Sequence, residues 1–142
     1  MPEIDVLLAL GICNLQRALC RRLNQEGGKA CPSWTEFSIL KVLEKEPGIN
    51  IQSLAAQTSL SSGSATYAID RMEAEGLICR RKDSKDSRVS KLFLTSNGED
   101  AISKLQKKLQ TVSSAVFEGI IESRKTEILK ELESALSKSA DN

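Results

Sequence analysis

Apolar residues open the chain at helical spacing. Ile4, Leu8, Ile12, Leu15, Leu19 and Leu23 recur at steps of three and four, which predicts an amphipathic helix over residues 5–24. Val6, Ala9, Leu10, Cys13 and Cys20 make a second apolar face, about 120° round the helix at about 100° per residue. A helix that is apolar on two sides has two readings. Either it is buried between two elements of its own chain, or one face packs on its own subunit and the other on a partner. Gln25-Glu26-Gly27-Gly28-Lys29 interrupts the pattern. A second helix starts near Pro32-Ser33-Trp34, with Ser33 as N-cap and Glu36 three residues on, the spacing of a capping box. Trp34, Phe37, Leu40 and Leu43 share one face and read as core, and Pro47-Gly48 ends the helix.

The pattern then shortens. Residues 49–51 suit a short strand, and Ile51, Leu54 and Ala55 mark a short helix ending near Thr58. Ser59-Leu60-Ser61-Ser62-Gly63 is a turn, with Ser61 or Ser62 as the next N-cap. The helix that follows runs to about Glu75 and stops at Gly76, a C-cap residue. Two strand-like runs, 77–81 and 89–94, flank a polar segment and predict a hairpin with a solvated tip. Thr95 opens a long helix with a stripe of Ala101, Ile102, Leu105, Leu109, Val112, Val116 and Ile120. A last helix carries Ile128, Leu129, Leu132 and Leu136. The fold class is mainly α with one small β-hairpin. Within residues 54–95 the order of short helix, turn, longer helix and hairpin is that of a winged helix-turn-helix lobe.

Composition narrows the possible functions. The 142 residues suit a single domain over 1–142, with 40% hydrophobic and 27% charged residues, as in soluble globular chains. No apolar run approaches the ~18 residues of a membrane span. Glu3 and Asp5 stand where a secretory leader would be basic, so the expectation is a cytoplasmic protein without membrane contact. The chain has no histidine, and its four cysteines form no CxxC pair, so no zinc site and no other metal site is expected. There is no GxGxxG or GxxxxGK loop either, and the chain reads as a non-enzyme without a cofactor. Net charge is only +1, so any attraction for nucleic acid must be local. Residues 71–91 supply a local surplus, with seven basic side chains (Arg71, Arg80, Arg81, Lys82, Lys85, Arg88, Lys91) against four acids.

The helix over 62–75 divides on a wheel. Ala65, Ala68, Ile69 and Met72 fall together and face the core, while Gly63, Thr66, Tyr67, Asp70 and Ala74 fall opposite. The outer face is small and polar near its N-terminal end, as a helix entering the major groove requires. Ser61, Ser62, Ser64, Thr66 and Tyr67 offer hydroxyls to phosphates or base edges, and Arg71 offers a cation to phosphate. Asp70 would be repelled by DNA unless paired, so it is expected to orient Arg71 or an arginine of the hairpin. In the hairpin tip, Lys85 and Arg88 are candidate DNA contacts, and Asp86 is placed to hold the Arg88 guanidinium. The plain alternatives are an ordinary amphipathic surface helix and a solvated charged loop.

Asp70-Arg71-Met72-Glu73 with Gly76-Leu77-Ile78, then Arg81, Asp83, Asp86, Arg88, Leu94-Thr95 and Gly98, resembles the MarR family of bacterial transcriptional regulators. The helix order extends the resemblance over essentially the whole chain. It implies a homodimer built from terminal helices at about 4–25 and 98–138, and a winged-helix lobe over about 33–95 on a pseudo-palindromic double-stranded DNA operator. It also implies that Asp86 and Arg88 form the wing pair and that residues 62–67 read the groove. Ser87 stands where family wings often carry the first of two adjacent arginines, which removes one cation from the tip. A regulator of this kind is released by an effector. A small molecule could sit among Leu15, Leu19, Trp34 and Phe37. Alternatively, Cys13 and Cys20, seven residues apart with Arg17 between them, could sense oxidants, since an adjacent cation favours the thiolate. Cys31 is expected in a loop as the more exposed thiol, and Cys79 packed in the hairpin. A different class also stays open, a winged-helix module that binds protein and no operator.

Overall fold

The computed structural model describes residues 2–27 and 33–140. Among the described residues, six helices and one hairpin follow in order. They are α1 (Pro2–Gly27), α2 (Trp34–Lys45), α3 (Ile51–Thr58), α4 (Ser62–Ala74), β1 (Ile78–Lys82), β2 (Ser90–Leu94), α5 (Ser96–Val116) and α6 (Glu122–Ala140). They fall into two compact units, Met1–Val112 and Ser113–Asn142.

Three boundaries depart from the sequence pattern. Helix α1 is longer at both ends. Proline is tolerated in a first helical turn, where its missing N–H has no partner to lose, so Pro2 belongs to the helix. Gln25 and Glu26, good helix formers, carry it on to Gly27; Gly28 and Lys29 lie outside the described residues. The strand expected at 49–51 is one bridge, Asn50 to Lys91. Asn50 is diverted to cap α3, its side chain accepting the Ser53 N–H at 2.8 Å. Helix α5 ends at Val116, so Ile120 leaves its predicted stripe; Gly119 takes a left-handed φ of +87° in the turn that follows.

The core of the first unit is built from one face of each element. Ile39 and Leu40 of α2, Leu54 of α3, Ile69 and Met72 of α4, Ile78 of β1, Leu92 of β2 and Ile102 of α5 are each at most 2% exposed. Trp34, expected in this core, is 39% exposed; it sits in the first turn of α2 with its ring 5.7 Å from that of Phe37. The hairpin pairs Ile78 with Leu94 and Lys82 with Ser90 in antiparallel register. Of the two readings of α1, burial between elements of its own chain does not hold for its N-terminal half. Leu23 is buried, but Ile4, Val6, Leu7, Leu8 and Leu10 are all more than half exposed. In the second unit, α6 carries the ion pairs Lys125–Glu122 and Arg124–Glu127, and leaves Leu129 and Leu136 exposed.

Helix α4, the hairpin and α5 meet at one joint. Gly76, with φ +72°, ends α4, and the Leu77 N–H donates to the Met72 carbonyl at 2.9 Å. The Thr95 hydroxyl donates to the Gly76 carbonyl at 2.6 Å and accepts the Gly98 N–H at 3.1 Å. Gly98 lies so close that a Cβ there would run into the Leu77 carbonyl. Backbone cannot yield as a flexible side chain does, so Gly98→Ala should cost about 1–3 kcal/mol of stability, the scale of overpacking. Urea unfolding of the variant would measure it.

Candidate nucleic-acid interface

Helix α4 begins after a tight turn. Ser59 takes a left-handed φ of 55°, and Ser61 caps the helix by accepting the Ser64 N–H at 3.1 Å. The Ser61 hydroxyl also donates to Ser64 Oγ at 2.8 Å, so these two candidate hydroxyls are engaged with each other. Ser62, the first helical residue, is exposed. Thr66 donates its hydroxyl to the Ser62 carbonyl at 2.8 Å, which leaves the oxygen free to accept. An acceptor suits the amino groups of adenine or cytosine in the major groove. Tyr67 is 71% exposed, and the space beside Gly63 is open. Ala65, Ile69 and Met72 are fully buried on the opposite side, as the wheel requires, with Ala68 half-buried beside them.

The charged residues of α4 are tied back to the fold. Arg71 pairs with Glu36 of α2, whose side chain is buried, and lies 3.5 Å from Glu75. Asp70, the anion on the outer face, accepts from Arg80 of β1. Arg80 also bonds Glu73, so one guanidinium at the root of the hairpin holds two carboxylates of the helix. Partial burial works against that charge, but Asp70 and Glu73 outweigh it and raise the Arg80 pKa above its ordinary value. Sequence reasoning left the Asp70 partner open between Arg71 and the hairpin, and the structure pairs it with Arg80 of the hairpin.

The tip is ordered by two aspartates. Asp86 Oδ1 accepts the Arg88 backbone N–H at 3.0 Å and its Nε at 3.2 Å, while the Arg88 side chain stays 90% exposed. Asp83 accepts the Lys85 N–H at 2.8 Å and pairs with Lys91 Nζ at 3.3 Å. Arg81 lies over the Phe93 ring, 4.9 Å from its centroid. Among the described residues, only Lys82 and Lys85 of the seven basic side chains in 71–91 have neither an acidic nor an aromatic partner.

The candidate effector residues separate. A cavity of about 60 Å³ is lined by Cys20, Leu23, Ser33, Trp34, Phe37, Leu105 and Leu109. It brings together Trp34 and Phe37 but not Leu15 and Leu19, of which Leu15 is 38% exposed on α1. Cys20 is half-buried in its wall and Cys13 is exposed. Cys79 is half-buried, opposite Phe93 in the hairpin, and Cys31 lies outside the described residues. No cluster of three or more metal-ligating side chains occurs among the described residues. Nor is any helix among them long and apolar enough to cross a membrane.

Residues 33–90, from the cap of α2 to the far side of the wing, match the model of the MarR family. The chain is similar to the MarR family over that segment. The HTH-type transcriptional regulator SarZ of Staphylococcus haemolyticus is 28% identical over 111 residues, 77% of this chain and 73% of that protein. The transcriptional regulator BldR of Sulfolobus solfataricus superposes with a TM-score of 0.83 at 27% identity, covering 96% of each chain. The fold is also that of the transcriptional repressor CouR, solved on a 23-mer DNA duplex. The TM-score is 0.83 at 21% identity, over 94% of this chain and 95% of that one. The relatives matched over most of this chain are transcription regulators, not enzymes, which supports a transcription regulator of MarR type.

Two members of the site escaped sequence reasoning. Glu36 was visible only as a capping residue, and Arg80 only as one cation in a patch. The Asp83 contacts give a direct check on the wing. The Lys85 N–H, then Lys91, hold the Asp83 carboxyl below its ordinary value. A depressed carboxylate contributes stability above the ordinary range, near pH ~4, and loses it as pH falls through the depressed value. An NMR titration should place the Asp83 midpoint below ~4, and Lys91→Ala should move it upward.

Proposed function

We propose that this chain is a cytoplasmic, homodimeric repressor of MarR type that reads a pseudo-palindromic operator and is released by a small molecule. The observation that carries the reading is the division of α4. Its outward charges, Asp70 and Arg71, are tied back to β1 and α2, while Ser62, Gly63, Thr66 and Tyr67 face outward. A small, polar, uncharged face can approach base edges, and the exposed Arg88 held by Asp86 suits the negative potential of a narrow minor groove. Ser61 and Ser64 act as the cap of the reading helix, and Lys85 and Lys82 supply phosphate contacts. Arg71 supports the helix in place of contacting phosphate.

The uncovered apolar side chains of α1 and α6 favour a homodimer through the terminal helices, about 4–25 and 98–138, with the lobe over about 33–95. A dimer places two recognition helices about 34–36 Å apart, one turn of DNA. The CouR complex with a 23-mer duplex supports DNA of about two turns as the partner. The effector reading rests on the cavity between α1, α2 and α5. At about 60 Å³ it is far below the ~300 Å³ of a site for a drug-sized ligand, so the effector is small and apolar or opens the site on entry. Oxidant release is the second reading, favoured by one observation: the Cys20 thiol sits in the wall of that same cavity.

Fluorescence anisotropy against a duplex selected from a random pool by the unaltered protein tests the proposal. Binding should saturate at two chains per duplex. Arg88→Ala should weaken it and lower the slope of log K against log salt by about one. Thr66→Ala should cost discrimination at one base pair, about 1–3 kcal/mol, and leave binding to random DNA unchanged. Saturation at one chain, an unchanged slope, or equal loss on every sequence would remove, respectively, the dimer, the wing and the groove-reading role.

A further inference from the structure

Glu36 is the one buried charged residue among the described residues, 3% exposed in the first turn of α2. A carboxylate is costly to bury, and one kept there must be fully partnered. It is: one oxygen accepts the Ser33 N–H at 2.7 Å, and the other pairs with Arg71. The Glu36 N–H returns a bond to Ser33 Oγ at 3.3 Å, closing the capping box. A capping glutamate at this position ordinarily stays in water. Here its second oxygen is spent on the guanidinium of a residue 35 positions later, on the helix that carries Thr66 and Tyr67. The neighbouring surface is an open cleft of mixed character, lined by Thr35, Leu60, Ser64, Tyr67, Ala68 and Arg71, so the pair is anchored beside the reading face.

We infer that Glu36 is a positioning residue for operator recognition, acting through Arg71 to set the rotation of α4. The buried contacts of α4, Ala65, Ile69 and Met72, all lie on one side of the helix, so tethers from its flanks add directly to the control of its rotation. Two opposed tethers act there. Arg80 holds Asp70 and Glu73 from the hairpin side, and Glu36 holds Arg71 from the α2 side. At about 100° per residue, Thr66 lies on the side of Asp70 and Glu73, and Tyr67 lies between Asp70 and Arg71. The inference rests on the reading of α4 as the groove-entering helix.

The test compares the full chain with Glu36→Gln, Arg71→Gln and the double variant. Each is titrated with the selected duplex and with a random duplex of equal length, over a salt series. The readout is the ratio of the two dissociation constants. Loss of folded protein changes both constants alike, so the ratio is insensitive to a merely structural defect. Each single variant should lower the ratio about tenfold, the scale of one lost specific contact, and the double variant should lower it no further. The slope on random DNA should be the same in Arg71→Gln as in the unaltered chain. The inference is overturned if Glu36→Gln keeps the full ratio, or if Arg71→Gln lowers the slope on both duplexes by about one, as a lost phosphate contact would. A ratio near one in the unaltered chain would overturn it together with the groove reading; a high ratio there, retained in Glu36→Gln, overturns it alone.

Discussion

Gly98 and the Leu77 carbonyl approach each other more closely than any side chain would allow. At that contact the exit of α4, the root of the hairpin and the start of α5 are brought within one hydrogen-bonded knot, closed by the Thr95 hydroxyl. The knot decides what the rest of the lobe can be. Strand β1 must leave α4 at the turn set by Gly76, and β2 must return to the same place to feed α5. The outer face of α4 and the tip at Arg88 are thus placed relative to each other by backbone. Side-chain packing of Ile69, Met72, Ile78 and Leu92 then fills the space beneath them.

On that frame the charges work mainly in pairs. The four acids of residues 71–91, with Asp70 and Glu36, engage Arg71, Arg80, Arg88 and Lys91. This accounts for a carboxylate on the outer face of α4, the face proposed to read DNA. Asp70 is already neutralised by Arg80, so it presents little free negative charge, and its partner is withdrawn from the solvent-facing set. An arginine held by an acid loses reach but gains a fixed direction. Arg88 shows both sides of this, since Asp86 fixes its stem while the side chain stays open to solvent.

Much of this was legible in the sequence, and the legible part is local. The stripe in α5, the capping box of Ser33 and Glu36, the Gly76 stop and the polar hairpin tip all depend on residues within a few positions of each other. Periodicity and cap chemistry report such features directly. The pattern from Asp70 to Gly98 carried the resemblance to the MarR family as well. What was not legible joins distant segments. Nothing near Arg71 marks Glu36 as its partner, and nothing near Arg80 shows that two acids of the preceding helix converge on it. Helix stripes also carry no depth. Leu15 and Leu19 share a stripe with Leu23, yet only Leu23 reaches the cavity wall, because the covering elements meet α1 near its C-terminal end alone. Asn50 went astray for a local reason, a cap outcompeting a strand.

The internal matching of charge also bears on how such a lobe behaves on DNA that is not its target. Counterion release rewards only cations that are free to replace the ions condensed on phosphates. Of seven basic side chains that the sequence places near the wing, Lys82 and Lys85 are the ones left unmatched, with Arg88 partly so. A wing this nearly self-neutral offers an arbitrary stretch of duplex few free cations. At the wing, few cations are left to exchange for the ions condensed on phosphate, and what remains is a small number of contacts with fixed directions.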